Sequence, residues 1–304
     1  MRISTAWSYQ SSVNSMLTQQ SNLNETQMKI SSGKQYLNPS ENPVAASSLI
    51  DINQNIQENQ QYQVNISSAQ AKLQLETSTL SSATDVLQSV RDLTVQGLND
   101  SNSASNRQQI ATQINQLNQQ LMTLANTQDA NGQYLFSGSA TSTQPFVATP
   151  AYAYQGNTTQ MNVTIGPQNR QVTENDPGQA VFGTIVTPPP ALVQGSISNI
   201  FQAISQLTTD LNNNAPNAAS LQDIDTAISR ISTIQASVGS KLNVLTSQQS
   251  INATTILDNQ TTSSSIGDLD MTSAISQLSL QQTSLQAAQQ AFIKVGGMSI
   301  FQYM

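Results

Sequence analysis

Apolar residues recur every seven positions near both ends of this 304-residue chain, and this spacing restricts its fold more than any other feature. Met16, Leu23 and Ile30 follow the repeat near one end, and Leu278, Leu285 and Phe292 are spaced in the same way near the other. A heptad repeat predicts α-helices that bury one stripe against another helix. Because the first stripe is thin, its helix is expected to be marginal alone and to need a partner.

Amphipathic helices most often form the core of their own bundle, and this is our interpretation of the helices predicted over residues 44–131 and 196–260. The terminal helices differ, because each is cut off by a polar or proline-containing break and each carries few charges. We therefore predict that they dock on partner helices. The candidate assembly residues are Met16, Leu23, Ile30, Met271, Ile275, Leu278, Leu285, Phe292, Val295 and Phe301.

The order of patterns along the chain predicts a mainly α protein. A long antiparallel helical rod or coiled-coil bundle would be built from both chain halves, with a small β subdomain inserted between them. Five segments follow: a terminal assembly helix, half of the rod, a β-rich insert, the other half of the rod and a second terminal helix. Their predicted bounds are 1–43, 44–140, 141–192, 193–262 and 263–304.

Local signals predict where the elements begin and end. Asn42 before Pro43 predicts the start of a helix that runs from Val44 to about Leu98, and Gly33 predicts the end of the preceding one. Ser105 and Ser196 are predicted N-caps, and the polar run 261–267 predicts a helix break. The alternation Met161-Val163-Ile165 indicates a strand, and a further strand is expected at Val181, Phe182, Ile185 and Val186.

Composition removes most kinds of active site. The chain contains neither cysteine nor histidine, so thiolate and imidazole chemistry is excluded. The nearest approaches to a carboxylate site lie at 174–176 and 268–270, and both lack the ligand spacing that a calcium loop requires. We interpret these acids as turn and N-cap residues. We expect no metal, no cofactor and no enzymatic activity.

Charged residues make up only 9% of the chain, against about 25% in typical domains. A surface with so few charges loses little hydration when it is buried, which favours self-association. The net charge of −7 and the absence of a Lys/Arg cluster argue against nucleic-acid binding. No segment approaches the roughly 20 apolar residues of a membrane span, and the first residues do not form a secretory signal.

Several stretches, taken in order, resemble the flagellin superfamily. Residues 30–34 (ISSGK) resemble its SSG element, and residues 90–96 (VRDLTVQ) are similar to its VRELTVQ motif. Three further stretches, at 39–46 (PSENPVAA), 132–138 (GQYLFSG) and 299–304 (SIFQYM), are closer to the subunits of the hook–filament junction than to flagellin itself. The opening residues 1–5 (MRIST) point the same way, and the resemblance covers about residues 1–146 and 265–304.

This resemblance implies a structural adaptor of the bacterial flagellum that joins hook to filament. The terminal helices would order on assembly, and the subunit would be exported without cleavage through the flagellar type III channel to an extracellular position. The implied partners are other copies of the chain, the first hook-associated protein, flagellin and a cytoplasmic export chaperone. Two alternatives remain open: a flagellin filament subunit, and a secreted coiled-coil effector or adhesin stalk.

Overall fold

The computed structural model of the protein describes residues 2–148, 152–183 and 198–297. Helices dominate these residues, and four short strands lie between the third and fourth helices. The helices are α1 (Arg2–Ser32), α2 (Pro43–Gly97), α3 (Ala104–Ala125), α4 (Gly178–Phe182), α5 (Ile200–Asn212), α6 (Ala219–Gly267) and α7 (Met271–Gly297). The strands are β1 (Phe146–Val147), β2 (Ala153–Tyr154), β3 (Asn162–Gly166) and β4 (Arg170–Thr173).

The chain divides into two compact units. Unit 1 contains residues 1–58 and 254–304, and unit 2 contains residues 59–253. Within unit 2, helices α2 and α6 run antiparallel, because Gln63 bonds to Gln249 while Arg91 pairs with Asp225. The predicted mainly α fold with antiparallel long helices and a small β region is thus confirmed.

The core of unit 2 follows the heptad repeat of α2. Ile66, Leu73, Leu80 and Leu87 are spaced by seven, and all four side chains are fully buried. Ile66 and Leu73 belong to a small cluster with Ile165 of β3. Leu80 and Leu87 belong to the main cluster, which is formed with α3, α5 and α6. The repeat therefore packs first against the β region and then against the helices.

Aromatic rings fill the part of this core that lies next to β1. Phe201 of α5 lies 4.8 Å from Phe146 and 5.6 Å from Phe182, measured between ring centroids. Phe146 and Phe182 also meet edge to face at 5.8 Å. All three rings are at most 1% exposed. The β-rich segment is thus attached to the helices through a shared aromatic core.

The β region consists of two separate antiparallel pairs. Strand β1 pairs with β2, and β3 pairs with β4, with an irregularity between Thr164 and Gly166. The predicted strand at 161–165 corresponds to β3. The further strand predicted at Val181 and Phe182 is wrong: both residues lie in the short helix α4, which follows Pro177. The remaining positions of that prediction, 185 and 186, lie outside the described residues.

Some of the predicted helix ends are confirmed by the structure and others are corrected. Helix α2 begins at Pro43, and the Asn42 side chain accepts a hydrogen bond from the Ala45 amide, as predicted. Gly33 follows α1 with φ +69°, which suits its predicted role as a C-cap. Helix α3 is capped by Ser103 and not by Ser105. Asn199 caps α5, and the predicted cap at Ser196 lies outside the described residues.

The helix break predicted over residues 261–267 falls at the last of these residues, because α6 continues through the polar run and ends at Gly267. The hydroxyls of Thr261 and Thr262 donate to the carbonyls of Leu257 and Asp258, and Ser265 donates to Thr262. These hydroxyls therefore bond to the helix backbone itself and do not end it. The polar run therefore lowers helix propensity without stopping the helix, which ends only at the glycine that closes the run, Gly267.

Candidate assembly surface

The two terminal helices pack along each other within unit 1. Near one end of the pair, the rings of Tyr9 and Phe292 lie 4.5 Å apart, between centroids. Near the other end, the Leu269 amide donates to the Gly33 carbonyl at 2.9 Å. The helices α1 and α7 therefore run antiparallel, with the start of one beside the end of the other.

This alignment gives the heptad stripes their positions. Counting inward from both contacts brings Met16 level with Leu285, and Leu23 level with Leu278. Leu23 is only 7% exposed, which makes it the most buried of the predicted assembly residues whose side chains the structure describes. Met16, Ile30, Leu278, Leu285 and Phe292 are half-buried. The residues of the two stripes are thus buried mainly by the packing of α1 on α7 within the subunit.

Two further predicted residues point outward. Met271 is 44% exposed and Ile275 is 54% exposed. Val295 lies in the last turn of α7, where only the backbone is described, and Phe301 lies outside the described residues. The structure therefore brings one group of the predicted residues together along the helix pair and leaves another group on its surface.

An open groove of about 370 Å³ lies between the helices near Met16 and Phe292. Its other walls are small side chains, namely Ser11, Ser12, Ser15, Ala288 and Ala291. Small residues let two helix backbones approach closely, but here they leave space beside two large side chains. The packing of α1 on α7 is therefore incomplete at this level.

Exposed apolar side chains are concentrated in unit 1. Of fifteen large apolar side chains that are exposed among the described residues, eleven lie in this unit, although unit 2 is the larger one. Isolated exposed apolar residues are ordinary, but such a concentration marks an interaction surface. The eleven are Trp7, Tyr9, Leu17, Met28, Val44, Ile50, Leu257, Met271, Ile275, Leu280 and Ile293.

Nine of these residues were missed by sequence reasoning. Eight of them fall outside the heptad stripes, whereas Tyr9 lies on the stripe, seven residues before Met16. Leu17 and Met28 are separated by eleven residues, which is close to three helical turns, so they share one face of α1. Ile275 and Ile293 are separated by eighteen residues, or five turns, and share one face of α7. A search for a second apolar face on each helix would have found these two spacings.

The surface carries little charge. Helix α7 has 27 residues, and its single charged side chain is Lys294 in the last turn. The polar residues of this helix are otherwise Ser, Thr and Gln. Neutral polar groups cost less to desolvate than charged groups. The exposed apolar residues of α7 can therefore be buried by a partner without trapping unpaired charges.

An ion-pair cluster fixes the connection between α1 and α2. Lys29 lies 2.8 Å from Glu25 and 3.0 Å from Glu41, measured from its Nζ to the carboxylate oxygens. The other oxygen of Glu41 accepts hydrogen bonds from the amides of Leu37 and Asn38. These bonds raise the pKa of Lys29 and lower the pKa of Glu41.

The same connection is bound to the other half of the chain. The Gln35 amide donates to the Gly267 carbonyl at 2.8 Å, and Lys34 forms an isolated antiparallel bridge with Asp268. Asp270 then caps α7, because its carboxylate accepts hydrogen bonds from the amides of Thr272 and Ser273. The two connections thus set the register in which α1 and α7 meet.

We expect Glu41→Gln to loosen this connection in a pH-dependent way. The folded pKa of Glu41 is lowered, so its contribution to stability is present above the ordinary carboxyl pKa and is lost as pH falls through the folded value. Hydrogen exchange of the Leu37 and Asn38 amides should be faster in Glu41→Gln at neutral pH, and wild type should approach the variant in acid. Equal exchange at neutral pH would contradict this role for Glu41.

Among the helices that the structure describes, none is long and apolar enough to cross a membrane. The described residues also contain no group of three or more acidic side chains placed to hold a metal ion. What they present is an antiparallel pair of terminal helices with an apolar, weakly charged surface. Together with the mainly α fold, these features indicate the class of helical subunits that assemble through their terminal helices.

Comparison with known proteins agrees with this class. Residues 3–141 match the family described as the bacterial flagellin N-terminal helical region. The chain is 32% identical to flagellar hook-associated protein 3 of Escherichia coli K12 and 30% identical to that of Salmonella typhimurium LT2, in each case over 99% of both chains. The chain belongs to the flagellar hook-associated protein 3 family.

Solved structures have the same fold. A putative flagellar hook-associated protein from Vibrio parahaemolyticus superposes with a TM-score of 0.66 at 24% identity, covering 75% of this chain and all of that one. Hook-associated protein 3 from Legionella pneumophila superposes with a TM-score of 0.62 at 21% identity, covering 69% of this chain and 96% of the other. The arrangement of helices and strands is therefore shared with these two structures.

Proposed function

We propose that this protein is a structural adaptor of the bacterial flagellum that joins the hook to the flagellin filament. The observation that carries the proposal is the concentration of exposed apolar residues on the terminal helices of a chain that belongs to the hook-associated protein 3 family. A concentration of exposed apolar residues of this kind marks a surface that other subunits cover. The relatives are structural proteins, and this chain acts by assembly and not by catalysis.

The proposed partners follow from the position of a junction. Copies of the chain contact each other through α1 and α7, while the first hook-associated protein lies on one side and flagellin on the other. The subunit is exported to the cell exterior through the flagellar type III channel, after a cytoplasmic chaperone has covered its apolar carboxyl-terminal segment. Exposed residues such as Ile275 and Ile293 support the need for such a cover.

Gene deletion tests the proposal. Cells that lack the protein are expected to carry hooks without filaments and to lose flagellin into the medium, and re-expression of the chain should restore filaments. Bare hooks without flagellin in the medium would instead identify the chain as the filament subunit. Normal filaments in the deletion strain would overturn the flagellar proposal and favour a secreted effector or stalk.

A further inference from the structure

The segment that leaves β4 is bound to the long helices of unit 2 by two ion pairs. The Lys72 ammonium of α2 lies 2.9 Å from the Glu174 carboxylate, and the Lys241 ammonium of α6 lies 2.8 Å from Asp176. The two acidic side chains are only 13% and 11% exposed. We call residues 174–176 the acidic strap, because they connect the β region to both helices.

Asn175 binds the middle of the acidic strap to the β region. Its side-chain oxygen accepts from the Met161 amide at 2.8 Å, and its amide group donates to the Gly138 carbonyl at 3.0 Å. The Glu174 amide also donates to the Met161 carbonyl at 2.9 Å. Every residue of the acidic strap therefore bonds to another part of unit 2. The backbone amides of Met161 and Glu174 lose their hydrogen bonds if the acidic strap detaches, so their exchange rates report its position.

Glu76 lies in the same cluster, and its carboxyl group is fully buried on α2, one turn after Lys72. Within the part of the chain that the structure describes, no hydrogen-bond donor reaches either of its oxygens. The charged groups that face it from other elements are Asp176 and Lys241. Lys72, on its own helix, is paired with Glu174.

An ionised carboxylate in this position would be poorly stabilised. It would have lost its hydration, it would repel Asp176, and Lys241 already neutralises Asp176. Burial, followed by the charge of Asp176, raises the pKa of Glu76 well above its ordinary value. As a neutral acid, the group instead carries a proton that it can donate to the Asp176 carboxylate.

We propose that Glu76 is a proton-operated latch that holds the acidic strap on α2 and α6 while it is neutral and releases the strap when it ionises. The proton links Glu76 to Asp176, and Asp176 stays in contact with Lys241. When the proton leaves, two buried carboxylates share one ammonium group, and water must enter to hydrate them. Opening of the acidic strap provides that access.

The direction of the pH dependence follows from the raised pKa. The protein binds this proton more tightly when folded than when unfolded, so the contribution to stability is complete below the ordinary carboxyl pKa of about 4.3. It is lost as pH rises from there to the folded pKa of Glu76. The latch therefore opens towards alkaline pH, opposite to the behaviour expected of Glu41.

Hydrogen exchange of the full-length protein tests the latch. After correction for the intrinsic rate, protection of the Met161 and Glu174 amides should fall by up to tenfold per pH unit as Glu76 ionises. Glu76→Gln keeps a donor towards Asp176 at every pH, so its protection should not change with pH. Asp85→Asn removes an exposed charge from the same helix and should follow wild type.

Two results would overturn the proposal. One is protection at Met161 and Glu174 that is flat in wild type, or that falls equally in wild type and Glu76→Gln. The other result is a melting temperature of Glu76→Gln below that of wild type, and this measurement also detects a variant that folds poorly. Glu76→Gln should melt above wild type at neutral pH, because it removes a buried acid, and a lower melting temperature would exclude the latch.

Discussion

Replacing Ile275 with aspartate is expected to abolish assembly while leaving the subunit folded. Ile275 is 54% exposed on α7, so the substitution creates no cavity and no buried charge in the isolated chain. In an assembly that covers this surface, the new carboxylate would be buried without a partner, at a cost of roughly 3–5 kcal/mol. Each 1.4 kcal/mol is a factor of ten, so incorporation should fall at least about a hundredfold.

Filament length in cells that express the variant, and polymerisation of the purified protein, measure this effect. Ser276→Asp is the matched control, since it adds the same charge at the next exposed position, about 100° around the helix. Circular dichroism should be the same for both variants. Full-length filaments with Ile275→Asp would exclude this face of α7 from the interface.

Leu285→Asp tests whether the terminal stripes pack α1 on α7 within the subunit as well as contribute to assembly between subunits. Leu285 is half-buried and level with Met16, so the charge would disturb the packing of α1 on α7 itself. We expect the chain to remain soluble and assembly to be lost, as with Ile275→Asp, but with reduced helical content. Equal helical content in the two variants would mean that the stripe contributes little within the subunit.

The helices of this protein were predictable because the heptad repeat is a property of the chain alone. Ile66, Leu73, Leu80 and Leu87 recur every seven residues, and all four are fully buried. The ends of helices were less predictable, because they depend on hydrogen bonds that compete locally. Ser103 and Ser105 are chemically equivalent as caps, and only the path of the chain selects Ser103.

The candidate surface was partly predictable, for a different reason. Periodicity identifies which residues share a face, but it does not say whether that face meets the same chain or another one. Leu23 lies on the predicted stripe and is buried within the subunit, whereas Ile275 was predicted with it and remains exposed. Leu17 and Ile293 lie off the stripe and are more exposed than either. Whether a side chain is buried within the subunit or exposed on its surface depends on how α1 pairs with α7.

Replacing Phe201 with alanine is expected to destabilise unit 2 more than any surface change. The ring is fully buried between Phe146 and Phe182, and it also stacks on Tyr152 at 6.4 Å. Removing a buried phenylalanine costs about 3–5 kcal/mol, because both burial and packing are lost and a cavity remains. For a unit of this size, the melting temperature should fall by roughly 10 °C.

The position of the cavity determines what else changes. Phe146 begins β1 and Phe182 ends α4, so the three rings hold the β region against α5. Proteolysis near β1 and β2 should therefore become faster in Phe201→Ala even below the melting transition. Phe201→Leu keeps most of the volume and should lose only about 1 kcal/mol. If both variants melted alike, the aromatic cluster would not be what attaches the β region to the helices.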